Sequence, residues 1–101
     1  MGLTKRKMME EMDKEDERAR EDKIKNQFSV WNGSHKGVTS AIKRSMNDPD
    51  SYKHVDTRYV DKGDHIMVYT SFRGKNAFGG VVTNAAIAKV DMNGNILKLE
   101  M

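Results

Sequence analysis

Residues 52–100 alternate polar and apolar side chains in stretches that short turn signals separate, and this pattern most constrains the fold. The segments 52–60, 65–72 and 80–91 each follow the period of two that is typical of a strand with one buried face. Turn-forming residues lie at 61–64 and at 93–94, and a fourth apolar stretch follows them. Because short connections join antiparallel neighbours, the sequence predicts a four-stranded antiparallel meander.

The Asn-Gly pair at residues 93–94 is typical of a tight two-residue hairpin turn. With this pair at the centre of the turn, Val90 would lie opposite Leu97, and Ala88 opposite Leu99. The four side chains would then share one face of the sheet. Because Ala88 is small, we expect a helix to approach this face closely.

A short amphipathic helix is predicted before the strands. Its apolar face recurs at intervals of three and four residues and consists of Val38, Ala41, Ile42, Ser45 and Met46. Ser34 is the expected N-cap, and Pro49 is expected to end the helix because it pushes the preceding residue out of helical geometry. The resulting fold class is α+β: a charged N-terminal helix, this short helix, and a meander with the short helix packed on one face.

Residues 1–27 are predicted to form a charged helical extension, and residues 28–101 a compact domain. Between Asp13 and Lys23 the only uncharged residue is Ala19, so a helix there has no apolar face to bury. At the junction, Ile24, Phe28 and Trp31 have the spacing of one helical face and are expected to dock on the domain.

The composition limits the classes of function. A chain of 101 residues with a net charge of +3 is one domain with a mild basic excess. It has no Cys, no apolar run of membrane-spanning length and no secretory signal, so we expect a cytoplasmic protein without disulfides. The three histidines lack the spacing of metal ligands, and no nucleophile elbow or phosphate-binding loop occurs. We therefore expect no enzyme activity, no metal and no cofactor.

The segment Phe72–Gly80 carries two basic side chains, two aromatic side chains and three glycines. We expect a shaped loop in which Phe72 and Phe78 hold the chain against the sheet while the cations face a partner. The predicted binding residues on this loop and on the neighbouring sheet face are Arg58, Tyr69, Arg73, Lys75, Asn76 and Phe78.

Two functions fit this pattern. The first is a non-catalytic protein-interaction module, because the sheet face opposite the helix would be partly open. The side chains expected on that face are Met67, Tyr69, Ile87 and Ile96, flanked by His54 and Arg58. Such a mixture of aromatic, aliphatic and Arg side chains is typical of interfaces. The segment from Phe28 to Trp31 could instead cover this face.

The second function is nucleic-acid binding by the basic and aromatic residues of the Gly-rich loop. Arg58, Arg73 and Lys75 could cluster with helix cations, and Tyr69, Phe72 and Phe78 could stack on bases. The helix cations are Lys36, Lys43 and Arg44. The oligomeric state is left open by the sequence.

Three motifs together resemble a small domain of uncharacterised bacterial and phage proteins. They are WNGSH at residues 31–35, MNDPDSYKHV at 46–55 and FRGKNAFGG at 72–80. The resemblance covers roughly residues 27–100 and implies an accessory protein of a phage or a bacterium, without an assigned activity. The helix-plus-meander arrangement is also similar to the β-lactamase-inhibitor-like folds, which act by binding other proteins.

Overall fold

A computed structural model describes residues 18–101, which form one antiparallel sheet with helices on one of its faces. The elements are α1 (residues 18–25), α2 (Lys36–Ser45), a 3₁₀ turn (Pro49–Ser51), β1 (Lys53–Asp61), β2 (His65–Lys75), β3 (Val81–Asp91) and β4 (Ile96–Glu100). The strand order is β1-β2-β3-β4, and every neighbouring pair is antiparallel. The predicted α+β meander with a packed helix is thus confirmed. The part of the predicted charged helix within residues 1–17 lies outside the described residues.

The core lies between the helices and one face of the sheet. Its buried apolar side chains are Ile24, Val38, Ile42, Ile66, Val68, Phe72, Ala86, Ala88 and Val90. On β2 and β3 these are the even-numbered residues, as the alternation of a strand requires. Burying a branched side chain such as Ile42 contributes about 1.5–3 kcal/mol relative to leaving it in water. The two alanines are fully buried, so this face remains flat where α2 crosses it.

The hairpin between β3 and β4 differs from the predicted two-residue turn. The Gly94 N–H donates to the Asp91 carbonyl, and the Asp91 N–H donates to the Asn95 carbonyl, so three residues form the loop. Only Gly94 has a positive φ, of 89°. This geometry is a type I turn followed by a left-handed glycine, which lengthens the loop by one residue. The predicted tight turn was therefore wrong.

This longer loop changes the register at the start of β4. Val90 lies opposite Ile96, whereas Leu97 was the predicted partner. An irregularity in the ladder then absorbs Leu97, so that Ala88 still lies opposite Leu99, as predicted. The extra loop residue and the bulge cancel each other. Leu97 is consequently exposed and does not join the core face.

A second bulge interrupts β1 between His54 and Asp56. The extra residue, Val55, is half exposed. Because of this insertion, the His54 side chain lies on the face opposite to the one that strict alternation predicts. His54 therefore lies on the core side of the sheet with Thr57, and its Nε2 lies 2.7 Å from the Thr57 hydroxyl. The prediction that His54 flanks the sheet face opposite the helix was wrong for this reason.

The start of α2 is capped by His35 and not by the predicted Ser34. The Nδ1 of His35 accepts a hydrogen bond from the Val38 N–H at 3.1 Å. Ser34 instead bonds through its N–H and its hydroxyl to the side chain of Asn32. The side chain that caps the helix is therefore a buried ring, and it fixes the start of α2 inside the core.

The segment that leads into α2 packs on the core side of the sheet. Ile24 is buried, and the Phe28 ring lies 5.1 Å from the ring centroids of both His35 and Tyr59. Trp31 is 93% exposed, which contradicts the expectation that it docks with the other two. The physical reason is that α1 ends at residue 25, so a helical spacing no longer relates Trp31 to Ile24. The division of the chain at residue 27 stays a prediction.

Candidate functional site: the open face of the sheet

The sheet face opposite the helices is uncovered by any described residue. We call it the open face; on β2 and β3 it consists of the odd-numbered residues. Tyr69 and Ile87 lie opposite each other at its centre and are 41% and 39% exposed. Central strands normally bury both faces or carry polar side chains on the wet one. Two large apolar residues at the middle of a bare face therefore need an explanation.

The row that contains Tyr69 crosses the whole sheet. Arg58 of β1 lies opposite Tyr69, and Glu100 of β4 lies opposite Ile87. The next row adds Val60 and the half-buried Met67. These rows combine an aromatic ring, aliphatic side chains and an arginine, which are the residue types enriched at the centres of protein interfaces.

A shallow depression lies beside this row. Ser71 and Ala85 are small and lie opposite each other, so the face is lower there than at Tyr69 and Ile87. The depression has a volume of about 360 Å³, and Asp56 and Arg58 line one of its sides. A single side chain of a partner could sit in it, between an apolar wall and an arginine.

Basic side chains outnumber acidic ones on the open face. The basic residues are Lys53, Arg58, Arg73, Lys75, Lys89 and Lys98, and the acidic residues are Asp56, Asp91 and Glu100. Two of the acids are paired on the face itself: Asp56 with Arg58 at 3.1 Å, and Glu100 with Lys98 at 3.0 Å. The third, Asp91, is hydrogen-bonded within the loop between β3 and β4.

The carboxylate of Asp91 is occupied by the turn that follows it. Its Oδ1 accepts hydrogen bonds from the N–H groups of Asn93 and Asn95, and Oδ2 accepts one from the Asn95 side chain. These bonds, with those from Asn95 the strongest, lower the pKa of Asp91. Its oxygens are bound within the turn, and neither Arg73 nor Lys89 forms an ion pair with an acid among the described residues.

The structure places four of the predicted binding residues together. Arg58, Tyr69, Arg73 and Lys75 all lie on the open face, and Arg58 and Tyr69 are direct neighbours. Lys53, Lys89 and Lys98 on the same face were missed. For Lys89 and Lys98, strand parity and the predicted Ala88–Leu99 pairing were the available signal. For Lys53, the bulge at Val55 reverses the parity.

The remaining two predicted residues lie at the tip of the β2–β3 hairpin. Residues 72–75 belong to β2, so the predicted loop is shorter and comprises only residues 76–80. The Asn76 Oδ1 accepts hydrogen bonds from the N–H groups of Phe78 and Gly80 at 3.0 Å, which is a structural role. Phe78 is 97% exposed, so the expectation that it anchors the loop in the core was wrong. Phe72 is buried, as expected.

Other predicted neighbours of the open face lie elsewhere. Ile96 and His54 are on the core side, because of the two register irregularities described above. The segment at Phe28 also packs on the core side and does not cover the open face. The cations of α2 lie across the sheet from Arg58 and Arg73, so the predicted cluster of the two sets does not form.

Among residues 18–101, no group of three His, Asp or Glu side chains is arranged to hold a metal ion. Neither helix in this range is long and apolar enough to cross a lipid bilayer.

Comparison of the chain with protein-family models, with curated proteins and with solved structures finds no match.

Proposed function

We propose that this chain is a non-catalytic protein-interaction module, and that its open face binds a partner protein. The supporting observation is the uncovered Tyr69–Ile87 pair at the centre of the sheet, with Arg58 beside it. Aromatic and arginine side chains at the centre of a patch supply most of the binding free energy at typical interfaces. The depression at Ser71 and Ala85 would receive one apolar anchor of the partner.

The charges on the open face define the partner's chemistry. Arg73, Lys75 and Lys89 lie on the same face as the apolar centre, and the acids Asp56 and Glu100 are already paired. A partner surface with an apolar centre and an acidic rim is therefore complementary. Rim charges of this kind act mainly on the association rate and on its salt dependence.

The test compares variants of the two sheet faces in quantitative affinity purification, followed by calorimetry with the purified partner. Tyr69→Ala and Arg58→Glu should each weaken binding at least about tenfold, which corresponds to about 1.4 kcal/mol. Lys43→Glu on α2 is the matched control and should bind as the wild type does. Binding that depends on Lys43 and not on Tyr69 would overturn the proposal.

The basic excess supports a second candidate, binding of single-stranded nucleic acid. Arg73, Lys75 and Lys89 would contact phosphates, and Tyr69 would stack on a base. Among the described residues of the open face, Tyr69 is the one Phe, Tyr or Trp ring, whereas stacking platforms use several, so we favour the protein partner. Fluorescence anisotropy with single-stranded and duplex oligonucleotides at low salt tests this candidate. The absence of any salt-dependent binding would exclude it.

A further inference from the structure

The outer edge of β3 has no strand beside it at its first residues. β4 pairs only with Ile87 to Val90, and Glu100 is the last residue in that ladder. Met101 follows Glu100 and so takes the place beside Ala86. Among the described residues, the stretch 81–85 therefore has a strand on the β2 side only.

The hydrogen bonds of the β2–β3 hairpin show which backbone groups of this stretch point outward. The Asn76 N–H donates to the Gly80 carbonyl, so that carbonyl points toward β2. The direction alternates along an antiparallel ladder, and this ladder has no irregularity as far as Asp91. The N–H and C=O groups of Val81 and Thr83 therefore point away from β2, and no described residue bonds them there.

The edge of β3 lacks the features that prevent pairing with another chain. Residues 81–86, VVTNAA, contain no charge, no proline and no bulge. Natural sheets protect exposed edges with such features. The outer edge of β1 has this protection, because it carries charged side chains and the bulge at Val55. The two edges of the sheet therefore differ, and only that of β3 is suited to receive a strand.

An apolar groove adjoins the bare edge on the core side of the sheet. It has a volume of about 290 Å³, and its lining includes Met46 after the end of α2, Phe72 and Gly74 of β2, and Val82 and Met101 at the edge. Gly74 leaves room there, since a Cβ on it would lie 2.5 Å from the Met46 methyl. Val82 is 39% exposed although it lies on the core side. A core-side residue of an added strand would lie beside Val82, next to this groove.

Positive charge lies in line with the same edge on the open face. Arg73 is the β2 partner of Thr83, and Lys75 is the β2 partner of Val81. Neither cation forms an ion pair with a described acid. Because Thr83 is small, the long Arg73 side chain can extend across it toward a carboxylate on an added strand. Opposite charges on one face of a sheet stabilise the pairing of its strands.

We propose that the edge of β3 at residues 81–84 binds an extended segment of a partner protein as a fifth, antiparallel strand. The segment carries an acidic side chain beside Thr83 and apolar side chains beside Val82 and Asn84. This inference goes beyond the proposed function and does not depend on it, because it uses the edge and the groove and not the Tyr69–Ile87 centre.

The observations specify this occupant. Only an extended chain presents donors and acceptors at the spacing of Val81 and Thr83, and each antiparallel pair there exchanges two hydrogen bonds. The residues between those pairs point to the core side, where the groove is apolar. The segment must leave the sheet after Asn84, because Met101 follows at Ala86. A second copy of this edge fits less well, since VVTNAA offers no acid to Arg73.

A short peptide with this pattern is the probe. In an acetylated and amidated peptide Leu-Glu-Val-Thr, the Glu would lie beside Thr83, and the Leu and Val would lie on the groove side. NMR titration of the isotope-labelled full chain should show saturable shifts at residues 81–85 and at Met46. The amides of Val81 and Thr83 should also exchange more slowly when the peptide is bound.

N-methylation of the peptide tests the hydrogen-bond pattern. Methylating the Glu nitrogen removes the donor that would face the Thr83 carbonyl, and should weaken binding at least about tenfold. Methylating the Val nitrogen is the matched control, because that N–H would point to solvent, and binding should change by less than about twofold. Equal losses would contradict the proposed pairing.

Variants of the full chain test the groove and the charge. Val82→Asp places a carboxylate at the groove and should weaken peptide binding at least about tenfold, whereas Val60→Asp, at a similarly exposed valine of the open face, should not. Arg73→Glu should reverse the preference, so that a peptide with Lys in place of Glu binds better. Tyr69→Ala should bind the peptide as the wild type does, which separates this site from the open face.

Two results would overturn the proposal. One is the absence of saturable shifts at residues 81–85 with peptide in the millimolar range. The other is self-association of the full chain in sedimentation that Val82→Asp abolishes, because a second copy would then be the occupant of the edge.

Discussion

His35 and Gln27 form a buried hydrogen bond of 2.8 Å between the Nε2 of the ring and the Oε1 of the amide. The Nδ1 of His35 accepts the Val38 N–H, so the ring proton must lie on Nε2 and is donated to Gln27. The Gln27 amide nitrogen donates in turn to the Met92 carbonyl at 3.0 Å. One neutral ring thereby connects the start of α2, the end of α1 and the β3–β4 loop.

This arrangement predicts that stability falls as the solution becomes acidic. Burial lowers the pKa of His35 from 6.5 to about 4, because the charged ring would lose water and Nδ1 would lose its acceptor role. The unfolded chain therefore binds a proton between these two values while the folded chain does not. The contribution to the free energy of unfolding is fully present above pH 6.5 and is lost as the pH falls toward 4. It amounts to about 3 kcal/mol.

Urea unfolding at several pH values measures this dependence. His35→Asn keeps a short acceptor at the N-cap but removes the titrating ring. We expect it to be less stable at pH 7 and to have a flatter pH dependence between 4 and 6.5. Ile42→Val, which shortens a buried side chain of α2 and removes no titrating group, is the control and should keep the wild-type slope. An unchanged slope in His35→Asn would contradict the assignment.

The sequence predicts the elements of this fold well because the relevant signals are local. The period of two along β2 identifies its buried residues, and Pro49 marks the region where α2 has ended. The positions of Val55 and Leu97 could not be predicted in the same way. A bulge depends on how two strands fit together, and neither residue has a distinctive local sequence.

The same limits apply to the prediction of the candidate site. Arg58, Tyr69 and Arg73 could be placed together because β1 and β2 pair through a short turn. Lys53 could not, since its face depends on the bulge at Val55 in β1. The exposure of Phe78 could not be predicted from the sequence either, because an aromatic residue in a Gly-rich segment can pack against the core or point into solvent.

Gly94 should tolerate substitution poorly because the β3–β4 loop requires its positive φ. Gly94→Ala forces an L side chain into the left-handed region and brings its Cβ to 3.5 Å from Gln27, an ordinary contact. We expect a loss of about 1–2 kcal/mol in the free energy of unfolding, from backbone strain. Gly80→Ala, at a glycine without positive φ, should cost less in the same urea titration. Equal losses would show that the loop does not depend on this conformation.

The flat alanine face under α2 predicts an asymmetry between the two sides of β3. Ala88 is fully buried, whereas Ala85 faces the open side. Ala88→Leu should lower the free energy of unfolding by about 1–3 kcal/mol, because the added volume must push α2 away from the sheet. Ala85→Leu should change it by less than about 0.5 kcal/mol. Thermal unfolding of the two variants provides the comparison, and a tolerated Ala88→Leu would mean that the core is loosely packed.

An ion pair between Arg20 of α1 and Asp61 of β1 attaches this helix to the sheet, and one substitution removes it. Arg20 donates from Nε to the Asp61 carboxylate at 2.9 Å, and a second nitrogen bonds the Gly63 carbonyl in the β1–β2 turn. The hydrogen bond from Arg20, together with one from the Gly63 N–H, lowers the pKa of Asp61 to about 2. The pair therefore stabilises the attachment above the ordinary carboxyl range, near 3.8, and this stabilisation is lost as the pH falls through 2.

Arg20→Ala should loosen α1 while the sheet remains folded. Because Ile24 still packs in the core, we expect faster amide hydrogen exchange in residues 18–25 and little change in β2 and β3. High salt should reproduce part of this effect in the wild type, since the ion pair is partly solvent-exposed. Arg18→Ala, on an exposed position of the same helix, is the control and should leave exchange unchanged. If Arg20→Ala exchanges as slowly as the wild type, burial of Ile24 alone holds the helix, and the Arg20–Asp61 pair contributes nothing measurable to its position.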